Sequence, residues 1–386
     1  MYILLISRGI PSEKDPLWGC FEFDQARALS SIGHKVVVLS VDERVRFYKR
    51  KVGLMHKVVD GIDCYNYCLI PKKISELFGF NFSSKVSFAH YDFLLKKIVK
   101  EHGTPDIIYS HYLTTSHVAT LLKKKWGIPL VAIEHWSEIN KDSLSAWVKK
   151  VGQLTYNKVD ELISVSLSLQ DRIKQHFGVN SVVIHNMVGA DFFNCQYDFS
   201  FDGKIRFVTT GRLVYGKGFD LLPKAFVKLN LPKDKWEMNI IGGGEEYSNL
   251  QKQINECDLQ DNIHLLGQKT KKDVVDILRN SNVFILPSRA ENFSVAVLEA
   301  LSCGLPVISS ICGGIRECIS DFNGLLFPVD DVDVLADDIK YMFENYQLYD
   351  RTKIAEDCKN RFSPEVIAHQ LTDIFNIVLN QYRQNN

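Results

Sequence analysis

Short apolar runs recur along this chain, each bounded by Gly, Pro or polar residues and followed by stretches with apolar positions three and four apart. The first rhythm predicts buried strands, the second amphipathic helices. In the first half the runs Tyr2–Ser7, Lys35–Val41, Ile107–Ser110, Leu130–Ile133, Glu161–Ser166 and Val182–Ile184 read as strands. Helices are expected at Phe21–Ser31 (stopped by Gly33), Phe88–Lys100, Ser116–Trp126 (stopped by Gly127) and Ser168–Phe177. A second series has strands at Ile205–Thr210, Glu237–Ile241, Ile263–Leu266 and Val283–Leu286. Its helices are expected from near Glu245, at Lys271–Arg279, from about Val295 to a stop at Gly304, and at Val334–Phe343. A last helix should run from Pro364 to about Gln381. Such alternation predicts parallel sheets with helices on both faces.

Two stretches break the rhythm. Arg44–Ser84 is irregular and basic, with short strands expected near Ile62–Tyr67, and Ala190–Gly203 is polar and aromatic without periodicity. The expected organisation is therefore a first domain over 1–189, a linker over 190–203, a second domain over 204–363 and a terminal helix over 364–386.

The length of 386 residues agrees with two domains rather than one. At 46% hydrophobic and 24% charged the composition is that of a globular protein, and no apolar run approaches the roughly 18 residues that span a bilayer. The start, MYILLISRG, has too short an apolar segment for a signal peptide and reads as a first strand. Nine scattered cysteines without a C-x-x-C pair are expected as reduced thiols in a cytosolic protein.

Zero net charge conceals an asymmetry. Residues 1–190 carry 25 Lys and Arg against 18 Asp and Glu, and the remainder 21 against 28, so the first half is at +7 and the second at −7. A basic half suggests an anionic surface nearby, and the cluster Arg44, Arg46, Lys49, Arg50 and Lys51 makes the inner face of a membrane an expected partner beside the plainer reading of a solvated face. No metal constellation, nucleophile elbow or nucleic-acid motif stands out. The D-x-D at Asp331–Asp333 opens a helix, where acids serve the cap and the dipole.

The most informative stretch is PSRAENFSVAVLEALSCG, Pro287–Gly304. A buried strand leads into a loop, Asn292 or Ser294 is placed to cap a helix, and the first free N–H groups of that helix form an anion site suited to a diphosphate. Glu291 stays on the loop. Glu299 lies about 7.5 Å along the helix axis from Ser294, a phosphate-to-ribose reach, so one carboxylate is placed for sugar hydroxyls and the other for ribose. For an isolated pair the plain reading would be two solvated acids on a βαβ unit.

Here more of a pattern accompanies the pair. E-x7-E is followed by EALSCGLPVISSICGGIRE and NGLLFPVDD, and it is preceded by GRLVYGKGFD. In these segments the chain resembles the retaining glycosyltransferases of family 4, and the resemblance implies the α/β GT-B fold, two doubly wound Rossmann-like domains facing a central cleft. It implies transfer of a sugar from a nucleotide-diphosphate sugar to a hydroxyl, without metal or other cofactor, in polysaccharide or glycolipid synthesis at a bacterial cell surface. Arg212 and Lys217 match the pair holding the distal phosphate. The implied donor site adds Gly19, Gly242, Lys269 in the base-binding turn, Glu291, Asn292, Phe293, Ser294, Val295 and Glu299. His135 resembles the histidine that closes over the sugar, and with Arg212, Lys217 and Glu291 forms the expected catalytic set. His111 and Trp136 are acceptor-side candidates for a saccharide or lipid-linked saccharide. His111 also reads simply as a histidine bonded to a carbonyl, and Trp136 as packing. A nucleotide-sugar epimerase and a catalytically silent nucleotide-sugar sensor remain as alternatives. The sensor would be expected to lose Lys217 or Glu291.

Overall fold

The computed structural model describes residues 1–12, 15, 18–44, 52–68, 74, 77, 79–193 and 203–385. Two compact units emerge, one of Met1–His185 with Pro364–Asn386, the other of Asn186–Ser363. The second thus begins at Asn186 rather than after the expected boundary at 189, because local hydrogen bonds hold its first residues. The Asn186 amide donates to the Phe293 carbonyl (3.0 Å), and Val188 N–H donates to the Phe362 carbonyl (3.0 Å). Most of the expected linker, 194–202, lies outside the described residues, as do Arg46, Lys49, Arg50 and Lys51.

The first unit is built from β1 (Tyr2–Ser7), α1 (Cys20–Ser31), β2 (Lys35–Val41), β3 (Gly53–Val59), β4 (Ile62–Cys68), α2 (Phe80–His102), β5 (Ile107–His111), α3 (Tyr112–Trp126), β6 (Leu130–Glu134), α4 (Ala146–Tyr156), β7 (Glu161–Ser164), α5 (Leu167–Phe177) and β8 (Val182–Val183). Its sheet runs β3-β4-β2-β1-β5-β6-β7-β8, parallel except for β3 against β4. From β1 the order proceeds outward in both directions, so the switch point lies between β1 and β5. The side chains of β1 from Ile3 onward and of β2 from Val36 onward are buried, as expected for a sheet covered on both faces. Within the basic stretch the strand expected near Ile62–Tyr67 is present as β4, and β3 pairs with it in a hairpin that the sequence reading did not place. Asp60 and Gly61 both take positive φ (51° and 76°), the conformation of a two-residue type I′ turn.

The second unit contains β9 (Ile205–Thr210), α6 (Leu221–Leu229), β10 (Trp236–Ile241), α7 (Tyr247–Glu256), β11 (Ile263–Gly267), α8 (Lys271–Arg279), β12 (Val283–Leu286), α9 (Val295–Ser302), β13 (Val307–Ser310), β14 (Gly324–Phe327), α10 (Val332–Asn345) and α11 (Arg351–Phe362). The sheet order β11-β10-β9-β12-β13-β14 is parallel throughout and switches between β9 and β12. Asp331 caps α10, its carboxylate accepting from Val334 N–H at 3.0 Å. The closing helix, α12 (Pro364–Asn385), belongs to the first unit. There Phe375 packs on Tyr109 and Thr372 meets His34 Nε2 at 2.8 Å.

Among the described residues no helix is long and apolar enough to cross a membrane. Arg44 is not the free surface cation that its basic neighbourhood suggested. Its guanidinium is paired with Asp15 (2.6 Å) and Asp42 (2.7 Å) and stacks over Trp18 at 4.0 Å.

Candidate functional site

Open parallel sheets bind ligands beyond the carboxyl ends of their strands, at the point where strand order reverses. In the second unit that point is the β9/β12 boundary, and two loops meet there. The loop after β9 carries Arg212 and Lys217, and the loop after β12 carries Glu291. Lys217 Nζ lies 2.5 Å from Glu291 Oε1, which also accepts from the Ser288 hydroxyl at 2.7 Å. The pair is largely enclosed, at 24% and 10% side-chain exposure. Arg212 is exposed and makes no ion pair among the described residues, so its guanidinium is available to an anion.

Backbone contacts set the position of Glu291. Gly313 follows β13 at φ +52°, and a Cβ there would fall 1.7 Å from the Glu291 carbonyl oxygen. Only glycine permits that approach, and Gly314 N–H donates to the Asn292 carbonyl at 2.9 Å beside it. Gly242 works the same way beneath the Arg212 loop. At φ +146° its absent Cβ would sit 1.8 Å from the Gly211 carbonyl oxygen, while Gly211 N–H donates to Ile241. The glycine thus supports the cationic loop through the backbone.

Arg289, which the sequence did not single out, fixes the opposite side. It chelates Asp220 (2.7 and 3.0 Å), pairs with Asp330 (2.7 Å), donates to the Tyr215 carbonyl (2.7 Å) and stacks on the Tyr215 ring at 4.0 Å. Burial would raise the Asp220 carboxyl, but hydrogen bonds from Arg289 outweigh it and hold the group below the usual carboxylate range. The loops after β9 and β12 are thereby tied by two charge clusters. Arg289 lies in the same loop as Glu291, and spacing along the chain gave no signal of its partners.

Asn292, Phe293 and Ser294 are buried and Val295 is half-buried at the start of α9. Ser294 holds the cap position, yet its hydroxyl makes no capping hydrogen bond. Ser294 therefore leaves the first-turn N–H groups of α9 without an acceptor from the cap side chain. Glu299 sits half-buried in the next turn. Lys269 is exposed just past the edge strand β11, separated from β12 by β10 and β9, so it is not brought to the Lys217–Glu291 pair.

In the first unit Gly19 stands at the head of α1, and β5 and β6 each deliver a histidine at their carboxyl ends. His111 Nδ1 and His135 Nε2 are 3.2 Å apart with their rings stacked at 5.4 Å. His111 is completely buried, and burial, with His135 and Arg8 nearby, pushes its imidazole well below the ordinary range, so it is held neutral. It therefore cannot meet an acceptor directly, and its ring partner is His135 rather than a carbonyl. Tyr112, at φ +66°, places its ring 5.1 Å from His135 and under the Arg8 guanidinium at 3.4 Å. Arg8 in turn pairs with the buried Glu22 at 2.9 Å. Glu134 anchors the turn after β6, accepting from the N–H groups of His135 (2.9 Å) and Trp136 (2.7 Å) and from the Tyr156 hydroxyl (2.7 Å). Burial raises its carboxyl against the pull of those donors. Trp136 packs edge-on against Trp147 at 6.5 Å.

The pattern of glycosyl transferases group 1 matches residues 198–359, and that of Glycosyltransferase Family 4 matches residues 23–192. An uncharacterised glycosyltransferase of Methanocaldococcus jannaschii is 28% identical over 257 residues, 66% of this chain and 69% of the relative. The gpi3 subunit of phosphatidylinositol N-acetylglucosaminyltransferase from Schizosaccharomyces pombe is 26% identical over 332 residues, 84% of this chain and 69% of that protein. Among solved structures, a sucrose-phosphate synthase from Thermosynechococcus elongatus superposes at a TM-score of 0.78 with 17% identity, covering 98% of this chain and 99% of that one. An Anabaena protein, HepE, solved in complex with UDP-glucose, superposes at 0.72 with 18% identity, covering 97% and 99%.

Proposed function

Because the chain belongs to the family 4 glycosyltransferases and has their GT-B fold, we propose that it transfers a hexosyl group with retention from a nucleoside-diphosphate sugar to a hydroxyl. The observation that carries this reading is the Lys217–Glu291 pair at the β9/β12 switch point, beside an exposed Arg212 that makes no ion pair among the described residues and an N-terminus of α9 to which the Ser294 side chain gives no cap. As the anomeric carbon–oxygen bond breaks, its electron pair leaves on the diphosphate. The acceptor oxygen bonds to the anomeric carbon and releases its proton. Arg212, Lys217 and the α9 N–H groups face the charge that grows on the leaving diphosphate, so they stabilise the transition state more than the resting donor. They supply that positive charge in place of a metal ion. Glu291 takes hydrogen bonds from the sugar once the ligand draws Lys217 toward phosphate, and Glu299 is assigned to the ribose diol. The acceptor is a saccharide or a lipid-linked saccharide, and the setting is cell-surface polysaccharide or glycolipid synthesis at the inner membrane face. UDP sugars are the first donors to try, since the Anabaena structure holds UDP-glucose.

The test begins with a thermal-shift panel of nucleotide sugars, where ligand at 100 times its Kd should add about 2.7 kcal/mol of stability. Donor hydrolysis or transfer is then measured beside donor Kd for Arg212→Ala, Lys217→Ala and the double variant. Each single change should lower kcat by about 10² to 10³, and the double should lose less than the product because both side chains serve one phosphate. Affinity lost without any loss of turnover at saturating donor would overturn the mechanism. Tight donor binding with neither hydrolysis nor transfer would favour the silent sensor.

A further inference from the structure

A cavity of about 630 Å³ opens in the first unit at the carboxyl ends of β1, β2 and β5, the switch point of that sheet. Its volume falls within the range of ligand sites. Much of its wall is hydrocarbon and aromatic surface from Val41, Phe80, Tyr91, Val118, Trp147 and Val151. The polar groups among the lining are largely spent on one another. Ser87 donates to Glu43 at 2.5 Å, and Thr115 donates to the His111 carbonyl. The Ser84 hydroxyl meets His117 Nε2 at 3.1 Å. The other nitrogen of that ring faces Thr155 Oγ1 at 3.1 Å, whose own proton goes to the Val151 carbonyl.

The two lining guanidiniums are spent as well, Arg8 on Glu22 and Arg44 on Asp15 and Asp42. An anion entering here would find both guanidiniums already bonded to carboxylates, and a bare sugar would find several of the lining hydroxyls already engaged. An uncharged apolar group loses nothing by entering. The cavity also adjoins the histidine pair, because its lining residue Arg8 stacks on Tyr112, whose ring touches His135.

We infer that this cavity binds the uncharged apolar aglycone of the acceptor, with the accepting hydroxyl held toward His135. The chemical class is a glycoside or alcohol carrying a hydrocarbon tail. This rests on the glycosyltransferase reading for the word acceptor, while the binding itself does not.

The experiment titrates the full chain with glucose, hexyl glucoside, octyl glucoside and octyl phosphate below their micellar concentrations, followed by calorimetry and tryptophan fluorescence. Each methylene moved out of water is worth about fourfold, so octyl glucoside should bind about fifteenfold tighter than hexyl glucoside, and glucose weakest of all. Ser84→Phe and Thr114→Trp, which fill the cavity from two different helices, should abolish the chain-length dependence while UDP affinity and melting temperature stay unchanged. Three results would overturn the inference: no dependence on chain length, the same dependence in both filled variants, or octyl phosphate binding more tightly than octyl glucoside. If alkyl glucosides bind as expected but are never glycosylated with any donor, the cavity stands and the transferase reading loses.

Discussion

Replacing Glu291 by Gln tests whether the ligand-free site holds its cation in reserve. At 2.5 Å and an effective dielectric of about 20, the Lys217–Glu291 attraction is about 6–7 kcal/mol gross. Both side chains retain some contact with solvent, and desolvation with screening leaves a net coupling of about 1–2 kcal/mol. A nucleoside diphosphate that recruits Lys217 must first overcome that coupling, whereas the full donor regains it by offering sugar hydroxyls to Glu291. Glu291→Gln should therefore tighten UDP by about fivefold to thirtyfold and weaken the UDP sugar, opposite signs from one substitution. Lys217→Ala should weaken both ligands. Calorimetry of UDP and UDP-glucose on wild type, the two single variants and the double variant completes the cycle, and the nonadditive term should match the coupling. If Glu291→Gln weakens UDP as much as Lys217→Ala does, the carboxylate is not competing with phosphate for the lysine, and the exchange proposed here is refuted.

Other consequences are open to measurement. Glu299→Gln should weaken UDP and UDP sugar equally, by about 1–3 kcal/mol if the ribose diol bonds to its carboxylate, and titrations that find either ligand unaffected would remove that assignment. Burial, with Asp337 alongside, pushes the Asp338 carboxyl up to about 6. Its folded-state proton is thus held more tightly than the unfolded one, so stability falls as pH rises from about 4 to 6, and Asp338→Asn should gain about 1 kcal/mol at pH 7 after allowance for screening. Denaturant curves at pH 4 and pH 7 check this, the gain vanishing at the lower pH. His111 is depressed by burial, so below about pH 6.5 the unfolded chain takes a proton that the folded one refuses, costing about 1.4 kcal/mol per unit. His111→Phe should flatten that slope between pH 6.5 and 5, and an unchanged slope would mean that the buried imidazole is not its source.

The alternation of apolar strands and amphipathic helices made both sheets legible, because parallel strands buried on both faces write themselves as continuous apolar runs. The E-x7-E spacing and the G-R-x4-K-G loop were legible for the same local reason. What could not be seen was pairing at a distance. Arg289 finds Asp220 and Asp330, and Arg8 stacks on Tyr112, only because sheet order brings separate loops to one edge. The β3–β4 hairpin did carry a local signal, Asp60-Gly61 between apolar stretches, masked by the basic residues around it. The cavity of the first unit left no trace in the sequence, since its wall draws single residues from many elements.

The return of α12 to the first unit also orders events during synthesis. Phe375 on Tyr109 and Thr372 on His34 are contacts that the first unit cannot make until the ribosome has passed through all of the second. The second unit is contiguous in the chain and can close as soon as it emerges, while the first waits with its α1 face uncovered, a window for chaperone capture. A stop codon after Ser363 would consequently spare the half it follows and expose the half made earliest.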